Sequence, residues 1–269
     1  MILRRVIAHF RKQEWTAIAI DFVIVVIGVF IGIQLGNWNA GLQRKAQADT
    51  IRERFIENVK GDISLVTIRE RYFAEAMNYG EEALAFLEGA PMADDEARWA
   101  FVRAAYQAAQ IWPFRPSAQI YEELKGAGDL DLIGDASVRD ALANYYDEAA
   151  GEIGVTFGAI DPYRAMIRRK TPWAIQQHIW DNCHPNEEVD SGRPVPPPDF
   201  RYMPDCKRPD DIALVRAAAE EFASDGELAD YLRGRMAELQ VTMNYIVNMR
   251  GDAQKIVDLL EAQKSEAAK

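Results

Sequence analysis

The 269 residues include 31 basic and 42 acidic side chains, a formal net charge of −11, with 49% hydrophobic and 27% charged residues. That length and balance suit one large or two small folded domains with a real core, and they argue against global disorder. Beyond residue 36 the chain holds 27 basic and 40 acidic residues, a net of −13; with no basic stripe carrying interleaved aromatics, nucleic acid is not an expected partner.

The chain opens with Arg4, Arg5, Arg11 and Lys12 in a short polar segment, residues 1–14, and then turns apolar. Residues 16–36 are 21 positions long, roughly 31 Å of helix, which matches the hydrocarbon thickness of a bilayer. Trp15 and Trp38 bracket the stretch as interfacial aromatics do, so a transmembrane helix is expected over 15–38. A cleaved signal peptide is the rival reading. Against it, the apolar run is too long and the nearest A-x-A site, Ala46-Gln47-Ala48, lies well past it. The crowding of basic residues before the span predicts a cytoplasmic N-terminus and a bulk, residues 39–269, on the periplasmic side of a bacterial inner membrane. So short a cytoplasmic segment is too small to fold, and output must pass through the far-side domain or through contacts within the lipid.

Gly28, Gly32 and Gly36 recur at intervals of four and share a helix stripe with Asp21 and Val25. Small residues so spaced let two backbones approach closely, which predicts a homo-oligomer or a membrane-protein partner at this face; the rival reading is that the stripe faces lipid. Asp21 is the one ionisable residue inside the span. Either it relays protons or ions, as in single-span energy transducers, or it pairs near the cytoplasmic interface, the preferred reading for a side chain about 9 Å from Trp15.

Residues 40–88 read as one long helix. Phe55, Val59, Ile63, Val66, Phe73, Met77, Leu84 and Leu87 fall on one face, with Arg71 and Glu75 decorating another, and Gly89-Ala90-Pro91 ends it. Asp94-Asp95-Glu96 opens a second helix to about residue 111. Trp112-Pro113-Phe114-Arg115-Pro116 makes a rigid turn, with Pro116 at the first position of a short helix closed by Gly126 and Gly128. Asp135 or Ser137 caps a helix to about residue 160; Asp161-Pro162 and Thr171-Pro172 restart two more. Residues 183–209 hold seven prolines and both cysteines, a long loop. Asp210 opens a helix to about Ala223, and Ser224-x-x-Glu227 caps a final long one to about Lys264. Its stripe is Leu228, Leu232, Leu239, Met243, Ile246, Ala253, Val257 and Leu260. The fold class is therefore all-α: a transmembrane helix, then a helical bundle in which the first and last long helices pair antiparallel.

Cys183 and Cys206 are the only cysteines, and in an oxidising compartment a disulfide closing the Pro-rich loop is the favoured reading. The alternative combines them with His178 and His184 as a tetrahedral zinc site, although the spacing matches no zinc motif; no metal and no cofactor are expected.

Residues 4–39, RRVIAHFRKQEWTAIAIDFVIVVIGVFIGIQLGNWN, resemble the N-terminus of an uncharacterised family of bacterial single-pass membrane proteins. Residues 115–146, RPSAQIYEELKGAGDLDLIGDASVRDALANYY, resemble its second block, where an aromatic-Glu-Leu helix is followed by glycine, a Leu-x-Leu-Ile turn and another helix. The two cover about a quarter of the chain. The resemblance implies topology and fold class and transfers no catalytic residue.

No nucleophile elbow, zinc-protease, phosphate-loop or dinucleotide pattern occurs, so an enzyme is not expected. Trp112, Arg115, Tyr121, Glu122 and Arg139 are the candidate ligand or partner pocket, with a bundle core the competing role for the aromatics. The expected function is a membrane-anchored scaffold or accessory subunit of an envelope complex. The alternatives are a periplasmic small-molecule-binding or sensing domain, and an energy-coupled transport accessory that uses Asp21.

Overall fold

The computed structural model describes residues 15–148, 161–185 and 195–267, all of whose regular structure is helical. The chain divides into two units, one ending at Arg52 and the other starting at Glu53. The described part of the first unit is helix throughout, and residues 20–47 are exposed along their whole length.

That helix, α1, runs from Trp15 to Leu87 as a single element of 73 residues. It joins the expected span and the expected helix over 40–88 without interruption. Residues 37–41 offer neither a proline nor a left-handed cap, and Gly36 and Gly41 keep helical backbone angles. Asn and Gly each cost less than about 1 kcal/mol in a helix interior, too little to end an established ladder. The helix stops where expected, at Gly89, whose φ of +111° suits a residue without a Cβ.

In the second unit four of the shorter helices begin where an aspartate accepts an amide proton. α2 (Asp95–Ala108) starts at Asp94, which accepts from the Ala97 N–H. α3 (Gln119–Ala127) ends at Gly128, φ +75°, and a 3-10 turn follows at Leu130–Leu132. α4 (Ala136–Ala143) is capped by Asp135 and widens into a π turn at Asn144–Glu148; its expected continuation to residue 160 lies outside the described residues. α5 (Pro162–Lys170) has Asp161 as its cap and Pro162 in first place. α6 spans Trp173–Asn182, α7 spans Ile212–Ala223 and α8 spans Leu228–Ala267.

Four local expectations need correcting. Pro116 lies outside α3, which begins three residues later without a side-chain cap. Thr171 donates its hydroxyl to the Ile167 carbonyl and closes α5, leaving Pro172 as the cap of α6. α7 is capped by Asp211, one residue past Asp210. Before α8, Asp225 rather than Ser224 accepts the Glu227 amide.

Within the second unit, α1 and α8 are linked by ion pairs Glu53–Lys264, Lys60–Glu261, Glu70–Arg250 and Glu88–Arg233. The numbers rise along one helix as they fall along the other, the order of an antiparallel pair. Gly80 lets them come close: a Cβ there would overlap Met236 Sδ. Phe55, Val59, Val66 and Phe73 are buried on α1, as are Leu232, Leu239, Ile246 and Leu260 on α8. α2 packs along α7, joined by Phe101 edge-on to Phe222 at 6.0 Å, and α8 also packs on α4 and α5.

Candidate functional site

In the first unit, Asp21, Val25, Gly28, Gly32 and Gly36 all lie on the exposed helix, and a Cβ added at any of the three glycines would meet nothing within 4 Å. Ile20, Phe22, Ile24, Ile27, Phe30 and Ile33 are each at least half exposed. Among the described residues this is the one helix long and apolar enough to cross a membrane; its apolar window has a mean hydropathy of 2.1 and is 0% buried. Burying a leucine-sized side chain is worth about 1.5–3 kcal/mol. An uncovered run of this length is thus a strong driving force for entry into an apolar phase.

The five residues expected to line a pocket do not form one group. Arg115 and Glu122 are exposed. Arg139 donates to the Gly134 carbonyl at 3.1 Å. Tyr121 stacks on Tyr146 (4.8 Å between centroids) and donates its hydroxyl to Asp147, which also pairs with Lys125 at 2.8 Å. Trp112 belongs to a second aromatic group, 5.1 Å from Tyr72 and 6.0 Å from Tyr202.

The loop around the cysteines is held from many sides. Cys183 and Cys206 form a disulfide with Cα atoms 5.0 Å apart, so neither thiolate is free for the zinc alternative. His178 Nε2 instead bonds the Lys207 carbonyl at 2.7 Å, and His184 stacks on Trp180. Burial pushes His184 down to about 4, with the Arg168 charge acting in the same direction. Arg71 and Glu75, expected to decorate a solvent face, are the main anchors of this loop. The Arg71 guanidinium donates to the carbonyls of Pro196, Pro197 and Phe200, and the buried Glu75 carboxylate accepts the Tyr202 and Met203 amides at 2.9 and 2.8 Å. Tyr79 donates to the Met203 carbonyl and Trp99 Nε1 to that of Cys206.

Two buried polar constellations escaped sequence reasoning. The first centres on Asp62, 2% exposed, which accepts the Ser117 amide and the Tyr145 hydroxyl at 3.1 and 3.2 Å. Burial drives its carboxyl up to about 6, with the Ser117 and Tyr145 hydrogen bonds pulling the other way. The second is a group of arginines around Tyr72. The charges of Arg164, Arg168 and Arg235 bear on the Tyr72 phenol, which burial drives upward, and Arg69 lies within electrostatic reach of Tyr72 and Tyr202. Arg235 is fully occupied by Asp161 at 3.0 Å and the Ala108 and Gln110 carbonyls at the end of α2; Arg164 donates to the Ala109 carbonyl. These two act as C-terminal caps. The signal that could have found Asp62 and Arg235 is a charged residue within an apolar stripe, between Val59 and Val66 and between Leu232 and Leu239.

No family model, no curated protein and no solved structure matches this chain.

Proposed function

We propose that this chain is a single-pass inner-membrane protein, of the family its N-terminal and second blocks resemble, whose periplasmic helical bundle serves as an interaction scaffold for an envelope complex. The observation that carries the reading is the uncovered apolar length of α1, none of it buried by the rest of the chain. Lipid is the solvent in which such a surface costs nothing, and a helix satisfies its own backbone there. The basic residues before the span favour a cytoplasmic N-terminus. The Cys183–Cys206 bond favours an oxidising compartment for the second unit. Ion pairs and aromatic contacts stiffen that unit, as a scaffold needs, and the small-residue face of Gly28, Gly32 and Gly36 is free for a second helix.

The test begins with membranes washed in alkaline carbonate. The intact chain stays in the pellet, and protease added to spheroplasts degrades its C-terminal part. Release into the supernatant, or full protection from protease, overturns the placement. Gly28→Leu combined with Gly32→Leu lowers crosslinked dimer or partner yield in native membranes; an unchanged yield removes that face from the reading.

A further inference from the structure

We propose that the outer face of α6, with Trp173, Gln177 and Trp180, is a stacking surface for an extended β-1,4-linked polysaccharide strand.

α6 turns Ile175 and Ile179 fully into the core, and its opposite side carries Trp173 and Trp180, 68% and 52% exposed. Among the described residues of the second unit these are the most exposed large hydrophobic side chains. Seven residues bring a helix within about 20° of two whole turns. The two indoles therefore leave α6 in the same direction, with their Cα atoms about 10.5 Å apart along the axis. Gln177 is exposed on the same stripe, one turn from each. Both indoles stand on fixed ground. Trp173 follows Pro172, whose ring sets the backbone at the entry to α6, φ −54°. His184 stacks on Trp180 with 4.6 Å between ring centroids and 25° between planes, which orients the indole while half of it stays open to solvent.

Charge and area decide what fits there. α6 contains no lysine or arginine, and the chain beyond residue 36 carries a net charge of −13, so an anionic ligand finds no counter-charge on this face. Helices that lie in a lipid interface are rich in exactly the basic residues missing here. Two indoles bury about 150–250 Å² each, so this face offers no more than about 500 Å², short of the roughly 800 Å² per partner of a stable protein interface. No large aliphatic side chain is exposed on α6 to enlarge it. The occupant is narrow, uncharged and flat. A pyranose ring presents a flat sheet of axial C–H groups to an indole and equatorial hydroxyls to a side-chain amide such as that of Gln177. In a β-1,4-linked strand each ring is turned over relative to the last. Every second ring then shows the same face, and two sugar lengths match the axial spacing of the indoles. The inference goes beyond the scaffold reading and rests on α6 alone, so neither test uses the other's readout.

The experiment is titration calorimetry of the full chain in phosphatidylcholine nanodiscs with β-1,4-linked N-acetylglucosamine oligomers of one to six units. Wild type binds the trimer and longer oligomers saturably, and the dimer, which reaches only one indole, about tenfold more weakly. Trp173→Ala and Trp180→Ala, at exposed positions, keep the wild-type melting temperature, weaken hexamer binding about tenfold and erase the advantage of trimer over dimer. Maltohexaose, whose α-linked rings coil, does not bind. Absence of saturable hexamer binding to wild type overturns the proposal. So does equal affinity for dimer and hexamer, or unchanged affinity in folded Trp173→Ala. A fall in crosslinked dimer yield in Trp173→Ala assigns the face to a second copy of the chain and overturns it too.

Discussion

Replacing Asp62 by asparagine tests how a buried carboxyl couples this fold to pH. Folded, the group titrates at about 6, against 3.8 for an unconstrained side chain. Between pH 4 and pH 6 the native state therefore keeps a proton that the unfolded chain has released. Stability falls as pH rises through that window, and above about pH 6 the full cost of the buried charge is present, about 3 kcal/mol. Asparagine keeps an acceptor oxygen for the Ser117 amide and the Tyr145 hydroxyl but carries no charge. Asp62→Asn should match wild type, or fall slightly below it, near pH 4, and exceed it by up to about 3 kcal/mol near pH 8. His184 runs the other way. Its folded value of about 4 lies below the ordinary 6.5, so the unfolded chain gains a proton first as pH falls, and about 3 kcal/mol is lost between pH 6.5 and pH 4. The opposed slopes leave wild type nearly level across the shared window, and Asp62→Asn exposes the His184 slope. The assay is urea unfolding of the full chain in a non-ionic detergent, followed by near-ultraviolet dichroism from pH 4 to pH 8 in non-coordinating buffers. Parallel curves for variant and wild type would refute the reasoning.

Three further outcomes follow from the same contacts. Serine at Cys183 and Cys206 removes a link across 23 residues and should lower stability by about 3 kcal/mol, read as a lower melting temperature that reductant no longer changes; equal melting temperatures would count against a structural role. Glu75→Gln weakens the acceptor of two buried amides and should cost about 2 kcal/mol, with faster proteolysis within residues 195–206 as the local sign. Arg235→Met removes the cation facing Asp161 and the donors to the Ala108 and Gln110 carbonyls and should cost about 3–5 kcal/mol of unfolding free energy measured in urea, whereas a surface ion pair such as Lys60–Glu261 should cost under about 1 kcal/mol when broken.

Most of what was legible in the sequence rests on short-range physics. An apolar run of 21 residues needs no tertiary partner to be recognised, and the all-helical class follows from periodicity. Asp94, Asp135 and Asp161 start helices because a carboxylate reaches an amide only three residues ahead. With only two cysteines, the Cys183–Cys206 pairing had no competitor. Where local rules failed, two local options were close in energy. Asp225 accepts the Glu227 amide where Ser224 was expected to, and Asp211 caps α7 in place of its neighbour Asp210.

The polar interior belonged to the tertiary structure alone. Periodicity identifies the one face of α1 that is apolar, but Asp62 and Arg69 lie within that face and Glu75, on the far side of the helix, is buried as well; their partners lie between 43 and 128 residues away in the chain. A charged side chain reads as a surface residue until the chain folds back to meet it. Arg71 and Glu75 look like an ordinary i, i+4 pair, yet the carbonyls and amides that claim them belong to a loop with no regular structure of its own. Burial and hydrogen-bond partnership are properties of the assembled fold. For that reason the helices and the disulfide could be read from the amino-acid order, whereas the buried carboxyl and the arginine cluster emerge only once remote segments meet.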